Sequence, residues 1–600
     1  PMLQDGLKHL HDSSHALVLH SAGPVNIDPY GTGYTIKDSK PLYVREDGLG
    51  AAAVVTYMGK VEKNGLPLES RARVPYIPTP YKGVVENLGQ CEHIPPTKPN
   101  DVGKSMKTLN KLHDPVQHYE HDVLKQAVDD YRDQTLKCIR AHKEELVDVL
   151  RFYSQEEAMD GTHDGQLCGL PNATSAGYGI DKSKKKVLQK DPFDEELVKI
   201  PREFSEDFDV QGEIDRTLDC WSKNLRSEPI YKASSKVNEL LPIKKAKDKV
   251  RKFYGSPFAN FVASRRVLGG VPIFMRRFWR ETECLVGINP MSSDWESFEE
   301  YVSEYTKTHM LAGDFSGFDT RMAAQITSAA ANVMVSWYRE MGLSKEELTL
   351  LKGALSDIIT PNILFDGDLY RFANGNPSGN LITVQLNSIC NSLMMRYVYY
   401  KLNRRVKKSF SQNVKLGTYG DDNAMGVKED CTWFNHTACQ REFAEVGVGY
   451  TMADKDADSV PYIPLSKVSF LKREFRTHPE LGKTVAPIEE ASILKKFHFV
   501  KKPSESPLSF DAQFGSYTDG AFREAYLHGR DFYNEFSSKI RNIVDLNPSL
   551  KTHVSFISYE DMKCCLAEAY EPGGSFEPRK LFAESVGIDV DDLPSMFNTE

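Results

Sequence analysis

Two adjacent aspartates, Asp421 and Asp422, lie at the tip of a predicted β-hairpin. The segments Val414 to Tyr419 and Ala424 to Val427 are short strand-like runs, and the Gly and Asp residues between them tolerate the backbone angles of a tight turn. Two carboxylates held at a turn can bind a divalent metal ion through their oxygens. An isolated Asp pair is more often an ordinary solvated turn, so other parts of the chain must decide between a metal site and a surface loop.

A second pair of carboxylates lies upstream of the hairpin. Asp314 follows the apolar run His309 to Gly313, which predicts that it ends a strand, and Asp319 begins a helical pattern that continues to Met341. The following Gly342 is typical of a helix C-cap. Three carboxylates from Asp314 and the hairpin would repel one another in a small volume unless cations lay between them. Two Mg²⁺ ions would serve, and in-line phosphoryl transfer uses that arrangement.

A loop broken by Gly and Pro precedes a long helical pattern from Asn380 to Leu402. Thr383, Asn387 and Asn391 recur every four residues along this pattern and therefore share one helix face. Buried polar side chains need hydrogen-bond partners, and neighbouring helices are one source of them. The alternative is that Asn387, together with Ser378 of the loop, binds a ribose 2′-hydroxyl, because an Asn side chain both donates and accepts.

Together these residues resemble the motifs of RNA-dependent RNA polymerases from picornavirus-like positive-strand RNA viruses (order Picornavirales). With a basic segment described next, seven motifs cover residues 174 to 476, and coincidence rarely produces so many. The chain length favours an iflavirus- or dicistrovirus-like member. The matches are Asp314 and Asp319 for motif A; Ser378, Gly379, Thr383 and Asn387 for motif B; Tyr419 to Asp422 for motif C; Thr451 to Lys455 for motif D; Phe470 to Arg473 for motif E; and Thr174 to Tyr178 for motif G.

The basic segment, residues 232–280, is similar to motif F of that family. It holds 13 Lys and Arg against two acidic residues, a local charge of +11 in a chain of net charge −9. Such a run is often a solvated face, but the interleaved aromatic residues, Phe253 among them, predict that part of it packs against the protein. Lys252 and Phe253 replace the family's usual Leu-Ile. The resemblance implies that Lys244 and Arg251 bind the incoming triphosphate, although Lys245, Lys247 and Lys249 are alternatives to Lys244.

The resemblance also implies roles for the remaining motif residues. Two Mg²⁺ ions, for which Mn²⁺ can substitute, would bind at Asp314, Asp421 and Asp422, and Lys455 would act as general acid toward the leaving pyrophosphate. The residues expected to bind the nucleotide and to select ribose are Asp319, Ser378, Gly379, Thr383 and Asn387. The residues expected to contact template and primer are Thr174, Ser175, Gly177, Tyr178, Phe470, Leu471, Lys472 and Arg473.

The fold that the resemblance implies is an α+β right hand with fingers, a palm built on an antiparallel sheet and a helical thumb. The hand would be closed by N-terminal fingertips. The expected division places an N-terminal extension and fingertips in residues 1–160, fingers in 161–300, a palm in 301–476 and a thumb in 477–600. Residues 1–150 contain no motif, so their role depends on the family analogy.

Bulk composition adds little to this picture. The 600 residues are 40% hydrophobic and 26% charged, with a mean hydropathy of −0.45, which is ordinary for a globular protein. The ten cysteines lack metal-ligand spacing and are expected to be reduced thiols. No apolar run is long enough to span a membrane. The first residue is Pro1, which hints at release from a longer precursor.

The expected partners are RNA template and primer, rNTPs, a small genome-linked protein primer and other viral replication proteins. The expected location is the host cytoplasm at membrane-associated complexes.

Two other functions compete with RNA-templated RNA synthesis. A reverse transcriptase also carries a Tyr-x-Asp-Asp hairpin, but it excludes the 2′-hydroxyl with a bulky aromatic residue, whereas Asp319 and Asn387 are polar. A non-enzymatic RNA-binding scaffold would have no need of every metal-binding carboxylate. A lysine cluster after the motif G match is either the lip of a template channel or a solvated loop. Its members are Lys182, Lys184, Lys185 and Lys186. The virus and the mode of initiation are left open.

Overall fold

The computed structural model describes residues 23–39, 55–113, 118–171, 173–188, 202–373, 375–453 and 457–571. In the part before residue 303, the strands are Tyr34–Lys37, Val55–Lys63, Leu66–Pro67, Tyr76–Pro78, His93–Ile94, Ile230–Ser235, Leu241–Pro242 and Lys252–Gly255. The α-helices of that part are Val84–Leu88, Val102–His113, His121–Ala141, Lys143–Leu146, Gln155–Asp160, Val210–Ser222, Ile243–Asp248, Phe258–Leu268, Gly270–Arg277, Trp279–Thr282 and Asp294–Val302, with a 3₁₀ helix at Lys184–Lys186.

After residue 303 the strands are Met310–Phe315, Asn362–Phe365, Asp368–Phe372, Val414–Tyr419, Asp422–Val427, Tyr450–Met452, Arg476–Thr477, Thr484–Val485 and Phe499–Lys501. The α-helices are Phe318–Arg321, Ala324–Met341, Lys345–Ile359, Thr383–Leu402, Phe410–Asn413, His436–Glu445, Glu490–Leu494, Phe510–Leu527, Arg530–Leu546 and Tyr559–Ala567. The 3₁₀ helices are Leu465–Lys467, Lys495–His498, Pro548–Thr552 and Glu568–Tyr570.

A four-stranded antiparallel sheet, here called the site sheet, carries the predicted metal ligands. Its spatial order is Val414–Tyr419, Asp422–Val427, Met310–Phe315 and Tyr450–Met452. Apolar side chains on one face pack against the helix Thr383–Leu402, which in turn packs on helices 121–141 and 324–341. The strand Met310–Phe315 lies between Asp422–Val427 and Tyr450–Met452, so its register with these two neighbours fixes where Asp314 lies.

The predicted helix that begins at Asp319 is interrupted. One short helix, Phe318–Arg321, is followed by Ala324–Met341, because Met322 and Ala323 have extended backbone. The carbonyls of Asp319 and Met322 accept hydrogen bonds at 3.0 Å from the backbone N–H groups of Asn376 and Gly375. These carbonyls therefore bond to a distant loop instead of continuing a helix, which local periodicity does not reveal.

The next predicted helix is present but starts three residues late, at Thr383 instead of Asn380. The Asn380 side-chain oxygen accepts a hydrogen bond from the backbone N–H of Ile382 at 2.9 Å. This side-chain bond replaces a first helical turn, as short polar side chains often do near helix starts. The helix then continues to Leu402, as predicted.

A second sheet, of seven strands, connects segments from both halves of the chain. Its main path is Tyr34–Lys37, Val55–Lys63, Asp368–Phe372, Asn362–Phe365, Ile230–Ser235 and Lys252–Gly255, and Leu66–Pro67 pairs with the second of these strands. Two shorter strand pairings connect the N-terminal part to segments that are distant in sequence. Tyr76–Pro78 pairs with Phe499–Lys501, and His93–Ile94 pairs with Leu241–Pro242. Residues before 100 thus connect this sheet, the basic segment and the C-terminal helices.

The C-terminal helices have a hydrophobic core of their own, which includes Phe514, Phe522, Phe536 and Ile540 and receives Val84 from the N-terminal part. The sequence predicts one helix from Gly520 to Val544, whereas the structure has two, Phe510–Leu527 and Arg530–Leu546, that pack against each other across a break at His528 and Gly529. None of the helices in the described part of the chain combines the length and hydropathy that crossing a bilayer requires. The predicted domain boundaries stay predictions.

Candidate active site

The hairpin and the strand Met310–Phe315 bring three aspartates together at one end of the site sheet. Tyr419 pairs with Asp422 around the turn, and Gly420 has a φ of 62°, a backbone angle that favours glycine. On the other side of the hairpin, Asn423 pairs with Gly313, so Asp422 and Asp314 are the next residues on adjacent strands. The turn that the sequence predicts is therefore present, with Asp421 at its tip.

The helix Thr383–Leu402 fixes the hairpin tip through two polar side chains. The Ser388 hydroxyl accepts a hydrogen bond from the Gly420 N–H at 2.9 Å. The Asn391 side-chain amide donates to the carbonyls of Gly420, Asp421 and Asp422 at 3.0, 3.1 and 3.3 Å. Asn391 is fully buried. Its place on the predicted polar stripe of the helix is thus explained by backbone contacts, while Ser388 carried no signal in the sequence.

The surroundings of Asp421 and Asp422 disfavour the ionised forms of both carboxyl groups. Burial raises the pKa of Asp421 to about 6, and the charge of Asp319 adds to that rise. Burial also raises the pKa of Asp422 to about 7, with further contributions from Asp421 and Asp314. Both carboxylates are open to solvent on one side, so they form the wall of a recess and not a closed core. The mutual repulsion that the sequence predicts is present.

The donor chemistry of this recess fits Mg²⁺, which prefers carboxylate oxygens together with water and phosphate. The raised pKa values of Asp421 and Asp422 mean that added positive charge would stabilise their ionised forms. In the described residues, however, no group of three or more His, Cys, Asp or Glu side chains converges into a ready-made metal site. The three carboxylates are close enough to interact, and binding a metal would require their side chains to turn toward one another.

A hydrogen-bonded chain connects Asp319 to the loop before the long helix. The Asn387 amide donates to the Asp319 carboxylate at 2.5 Å, and the Asn376 amide donates to the Asn387 oxygen at 2.9 Å. Burial raises the pKa of Asp319, and the bond from Asn387 opposes that rise. Asn387 is buried, whereas Asp319 faces solvent. Asp319 is therefore the group that a ligand would meet first, with Asn387 holding it in place.

The loop before the helix lies against the strand Lys252–Gly255. The backbone N–H of Tyr254 donates to the Ser378 hydroxyl at 3.2 Å, and Gly379 forms a β-bridge with Gly255. A Cβ on Gly379 would lie 1.9 Å from the Tyr254 carbonyl oxygen, so only glycine permits this approach. Thr383 bonds through its hydroxyl to the carbonyls of Pro377 and Asn380. It stabilises the loop.

The predicted triphosphate ligand Arg251 immediately precedes the strand that holds this loop. The Arg251 guanidinium is exposed, donates to Glu239 at 2.9 Å, and lowers the pKa of both Asp319 and Asp421, so its charge faces the acidic recess. Lys244 is exposed on the short helix Ile243–Asp248, and the structure does not distinguish it from its neighbouring lysines.

The two residues after Arg251, which replace the family's usual Leu-Ile, have opposite environments. The Lys252 ammonium is fully buried and pairs with Asp366 at 3.2 Å, which explains a lysine at an apolar position. Part of the aromatic-interleaved segment packs against the protein, as predicted, because Tyr254 and Phe258 are buried, whereas Phe253 is 43% exposed. Because side chains alternate along a strand, Phe253 lies on the face opposite to that of Lys252 and Tyr254.

The predicted primer-binding residues form a tight turn beside Asp422. Phe470 and Arg473 exchange backbone hydrogen bonds around Leu471 and Lys472, whose φ values are 53° and 62°. The Leu471 N–H faces the Asp422 carboxylate and opposes the rise in its pKa. Phe470 is buried, and Arg473 pairs with Glu524 and the Ala486 carbonyl. Only the turn itself, chiefly Lys472, is thus exposed to a nucleic acid.

The motif G match packs against the chain that follows the strand Lys252–Gly255, where the Phe258 N–H donates to the Ala176 carbonyl at 3.1 Å. Thr174 and Ser175 are exposed, while Gly177 is packed against Ser256. Tyr178 is buried and its hydroxyl donates to the Ile27 carbonyl at 2.6 Å. In this conformation the predicted contact of the Tyr178 ring with a template strand is not available, so Tyr178 supports the loop from within.

The lysine cluster that follows does not behave as a single solvated loop. Lys184 is buried beside Phe261, and burial lowers its pKa to about 8. Lys182, Lys185 and Lys186 are exposed. Lys455, the predicted general acid, lies outside the described residues, so its position relative to the recess is not part of the observed site.

Sequence reasoning missed the residues that support the site from behind. Asn376 looked like a turn residue, yet it is buried and bonds both Asn387 and the Thr383 carbonyl. Asn423 donates to the Gly313 carbonyl and accepts from the Tyr450 hydroxyl at 2.8 Å. Asn423 had a signal in the sequence, a polar residue in an otherwise apolar strand, whereas Asn376 in its Gly- and Pro-broken loop had none.

Comparison with known proteins places this site in context. The family model described as viral RNA-dependent RNA polymerase matches residues 94–544. The chain is 28% identical to the replicase polyprotein of Drosophila C virus over 438 residues, which are 68% of the chain and 24% of that polyprotein. It is 26% identical to the replicase polyprotein of cricket paralysis virus over 408 residues, 66% of the chain and 23% of the polyprotein. The chain thus spans only a quarter or less of the length of these relatives.

A solved structure shows the same architecture. The chain matches an RNA-dependent RNA polymerase of a sicinivirus with a TM-score of 0.67 and 16% sequence identity, covering 84% of this chain and 98% of that one. At this identity the likeness shows the fold. The predicted α+β right-hand fold is thereby confirmed.

Proposed function

The chain belongs to the viral RNA-dependent RNA polymerase family, and from that premise we propose that it copies an RNA template into RNA by template-directed nucleotidyl transfer. The observation that carries the proposal is the meeting of Asp314, Asp421 and Asp422 at the ends of adjacent strands. Nucleotidyl transfer needs such a concentration of carboxylates opposite a cationic surface, and Arg251 faces this recess.

We propose that Mg²⁺, or Mn²⁺ in its place, is the cofactor, held by Asp314, Asp421 and Asp422. When bound, the ions would lower the pKa of the attacking primer hydroxyl and offset the charge of the phosphates. The raised pKa values of Asp421 and Asp422 support this assignment, since protons and divalent ions compete for the same oxygens.

The protein's own residues divide the remaining work. Arg251, with Lys244 or a neighbouring lysine, would bind the triphosphate and stabilise the charge that gathers on pyrophosphate. Asp319, held by Asn387, would accept a hydrogen bond from the ribose 2′-hydroxyl of an rNTP. Lys455 would supply a proton to the leaving group, a general-acid contribution of about 10²–10⁴ in rate. Lys472 would contact the primer strand from the turn beside Asp422.

The polar character of the sugar-selecting group separates this proposal from reverse transcription. A reverse transcriptase excludes the 2′-hydroxyl with a bulky aromatic side chain. Here the sugar-selecting group would be the Asp319 carboxylate, and the side chain that donates to it is the amide of Asn387. We therefore propose rNTPs as substrates. The relatives are replicase polyproteins. We accordingly propose other viral replication proteins as partners, a small genome-linked protein as a primer, and the host cytoplasm at membrane-associated complexes as the location.

Primer extension tests the proposal. Purified protein is mixed with an RNA primer–template, rNTPs and Mg²⁺, and product length is followed on a denaturing gel. We expect template-dependent extension that stops when one rNTP is withheld. The matched control is Asp545→Asn, an exposed aspartate on the helix Arg530–Leu546, which should extend normally. Full incorporation by Asp421→Ala would overturn the metal-site assignment, and absence of any templated product from the wild type would overturn the function.

A further inference from the structure

We propose that Arg396 and Glu283 are positioning residues for the catalytic hairpin, acting through Thr418. The inference depends on the proposed function only in that the hairpin carries the metal-binding aspartates. Its structural basis is that the side chain and the backbone of Glu283 are used for different purposes. The side chain is held by Arg396, and the backbone carbonyl holds the hairpin strand.

The side-chain half of this connection is a buried, bidentate ion pair. Arg396 donates to the two Glu283 carboxylate oxygens at 2.7 and 2.8 Å, and neither residue has appreciable solvent contact. The guanidinium is further bonded to Asp130 at 2.8 Å, to Gln134 at 3.1 Å and to the Ser392 carbonyl at 3.4 Å, which accounts for all five of its N–H donors. Every hydrogen-bonding direction of the guanidinium plane is therefore used, which fixes the orientation of the Glu283 carboxylate.

The backbone half joins Glu283 to the hairpin. The Glu283 carbonyl accepts hydrogen bonds from the Thr418 N–H at 2.7 Å and the Thr418 hydroxyl at 2.8 Å. The Leu285 N–H donates to the Thr418 carbonyl at 2.8 Å. Thr418 is three residues before Asp421 and is fully buried. Because Val414–Tyr419 is an edge strand of the site sheet, this turn is the partner on its open side.

Glu283 adopts a backbone conformation that needs such support. Its φ is 61°, a left-handed value that is uncommon for residues other than glycine and that persists where the surroundings fix it. A buried charge pair is a poor source of stability compared with apolar packing. Stability alone therefore does not account for the Arg396–Glu283 pair. Holding Glu283 in the left-handed conformation that the hairpin contact requires does account for it.

One helix thus contacts the hairpin both at its tip and, through Glu283, at the end of the strand that leads into the tip. Ser388 and Asn391 of the helix Thr383–Leu402 bond the tip directly. Arg396, further along the same helix, bonds the strand before the tip through Glu283. The helix therefore fixes the position of the segment that ends in Asp421 at two separate points.

The experiment compares two buried glutamates that share an unusual geometry. Glu228 has a φ of 59° and is bonded to Arg226 at 2.7 Å and to Arg371 at 2.9 Å, but it precedes a strand of the seven-stranded sheet and not the hairpin. The variants Glu283→Gln and Glu228→Gln remove the same charge from equivalent settings. Thr418→Val removes only the hydroxyl bond to Glu283, and Thr418→Ser retains it.

Three quantities are measured on each full-length variant: thermal midpoint, hydrogen–deuterium exchange of the peptide covering residues 414–427, and the Mg²⁺ concentration for half-maximal primer extension. We expect Glu283→Gln to speed exchange in that peptide and to raise the half-maximal Mg²⁺ concentration about tenfold, the lower end of the effect of residues that support metal ligands. The KM for rNTP should stay unchanged. Thr418→Val should show the same effect in milder form, and Thr418→Ser should behave as wild type.

Glu228→Gln separates positioning from general stability. It should lower the thermal midpoint as much as Glu283→Gln does while leaving the Mg²⁺ requirement and the exchange of residues 414–427 unchanged. Equal effects of both variants on the Mg²⁺ requirement, or a normal requirement and normal exchange in Glu283→Gln and Thr418→Val, would overturn the inference. A wild type without templated activity would instead overturn the proposed function, and the exchange data would still test the structural connection.

Discussion

Two clusters of charged side chains lie on either side of the same hairpin, and they treat charge in opposite ways. Behind the hairpin, Arg396 is neutralised by Glu283 and Asp130 in a fully bonded, buried network. In front, Asp421 and Asp422 form no ion pair with any described residue, and each raises the cost of ionising the recess. The comparison shows that the charges behind the hairpin are paired within the protein, whereas the carboxylates in front of it are not, a difference that is common between structural and functional clusters.

The largest expected effect comes from removing a charge in the front cluster. Asp421→Asn keeps the shape of the side chain but removes its charge, and we expect primer extension to fall at least about 10³-fold, because a metal site supplies several kcal/mol of transition-state stabilisation. The thermal midpoint should not fall. Asp422→Asn should retain more activity than Asp421→Asn. The measurement is single-nucleotide incorporation at saturating Mg²⁺, and loss of stability in place of activity would contradict the comparison.

The next effect concerns the rear cluster and is on stability. Arg396→Met leaves Glu283 buried without its partner, which typically costs about 3–5 kcal/mol, and we expect the free energy of unfolding in urea to fall by that amount. The control is Arg140→Met. Arg140 also forms a bidentate pair, with Glu340 through its Nε and Nη2 atoms, but at the surface, where loss of a pair costs about 1 kcal/mol or less. Similar losses for both variants would mean that burial is not what distinguishes the rear cluster.

These two clusters also show what a sequence can predict. Asp314, Asp421 and Asp422 were recognisable because the chemistry requires those residue types, and the turn around Gly420 requires a short polar sequence. Arg396 and Glu283 were not, because an Arg in an apolar helix and a Glu after a short helix acquire meaning only when their partners are known. The break at Met322 was missed for the same reason. Its cause is a hydrogen bond from Gly375, and local periodicity contains no information about that loop.

A smaller effect is expected where a carboxylate has a neutral partner. Asp319 has a hydrogen-bond partner, like the charges behind the hairpin, but that partner, Asn387, is neutral and leaves the negative charge of the carboxylate in place. Asn387→Ala would free the carboxylate to rotate, and we expect the preference for rNTP over dNTP to drop about tenfold, the equivalent of one hydrogen bond to a charged group. The measurement is kcat/KM for each nucleotide. Asn391→Ala, on the same helix face but bonded to the hairpin tip, should reduce activity with both nucleotides equally.

The smallest effect is the pH dependence of stability without metal. The folded-state pKa values of about 6 for Asp421 and about 7 for Asp422 lie above the ordinary value of 3.8. Between about pH 4 and pH 7 the folded protein therefore binds more protons than the unfolded chain, and its stability falls as the pH rises. At pH 8 we expect Asp422→Asn to be more stable than wild type by about 1 kcal/mol, an amount reduced by solvent on one side of the site.

Thermal melts in EDTA at pH 5 and pH 8 measure this dependence. Asp422→Asn should show a smaller difference between the two pH values than wild type, while Asp545→Asn, on an exposed helix surface, should match wild type. Added Mg²⁺ at pH 8 should stabilise wild type more than Asp422→Asn, since an ion that binds the folded state raises its stability. A wild type that is more stable at pH 8 than at pH 5 without metal would contradict the picture of an uncompensated recess.

The pairing of Tyr76–Pro78 with Phe499–Lys501 has a consequence for the order of events during synthesis. These strands are separated by most of the chain, so neither can pair until the ribosome has released residues near 500. Contacts between distant segments form late because closing the intervening loop costs conformational entropy. The acidic hairpin can therefore fold before the N-terminal segments find their C-terminal partners, and the N-terminal segment closes onto the C-terminal helices only after residues up to Lys501 have been translated.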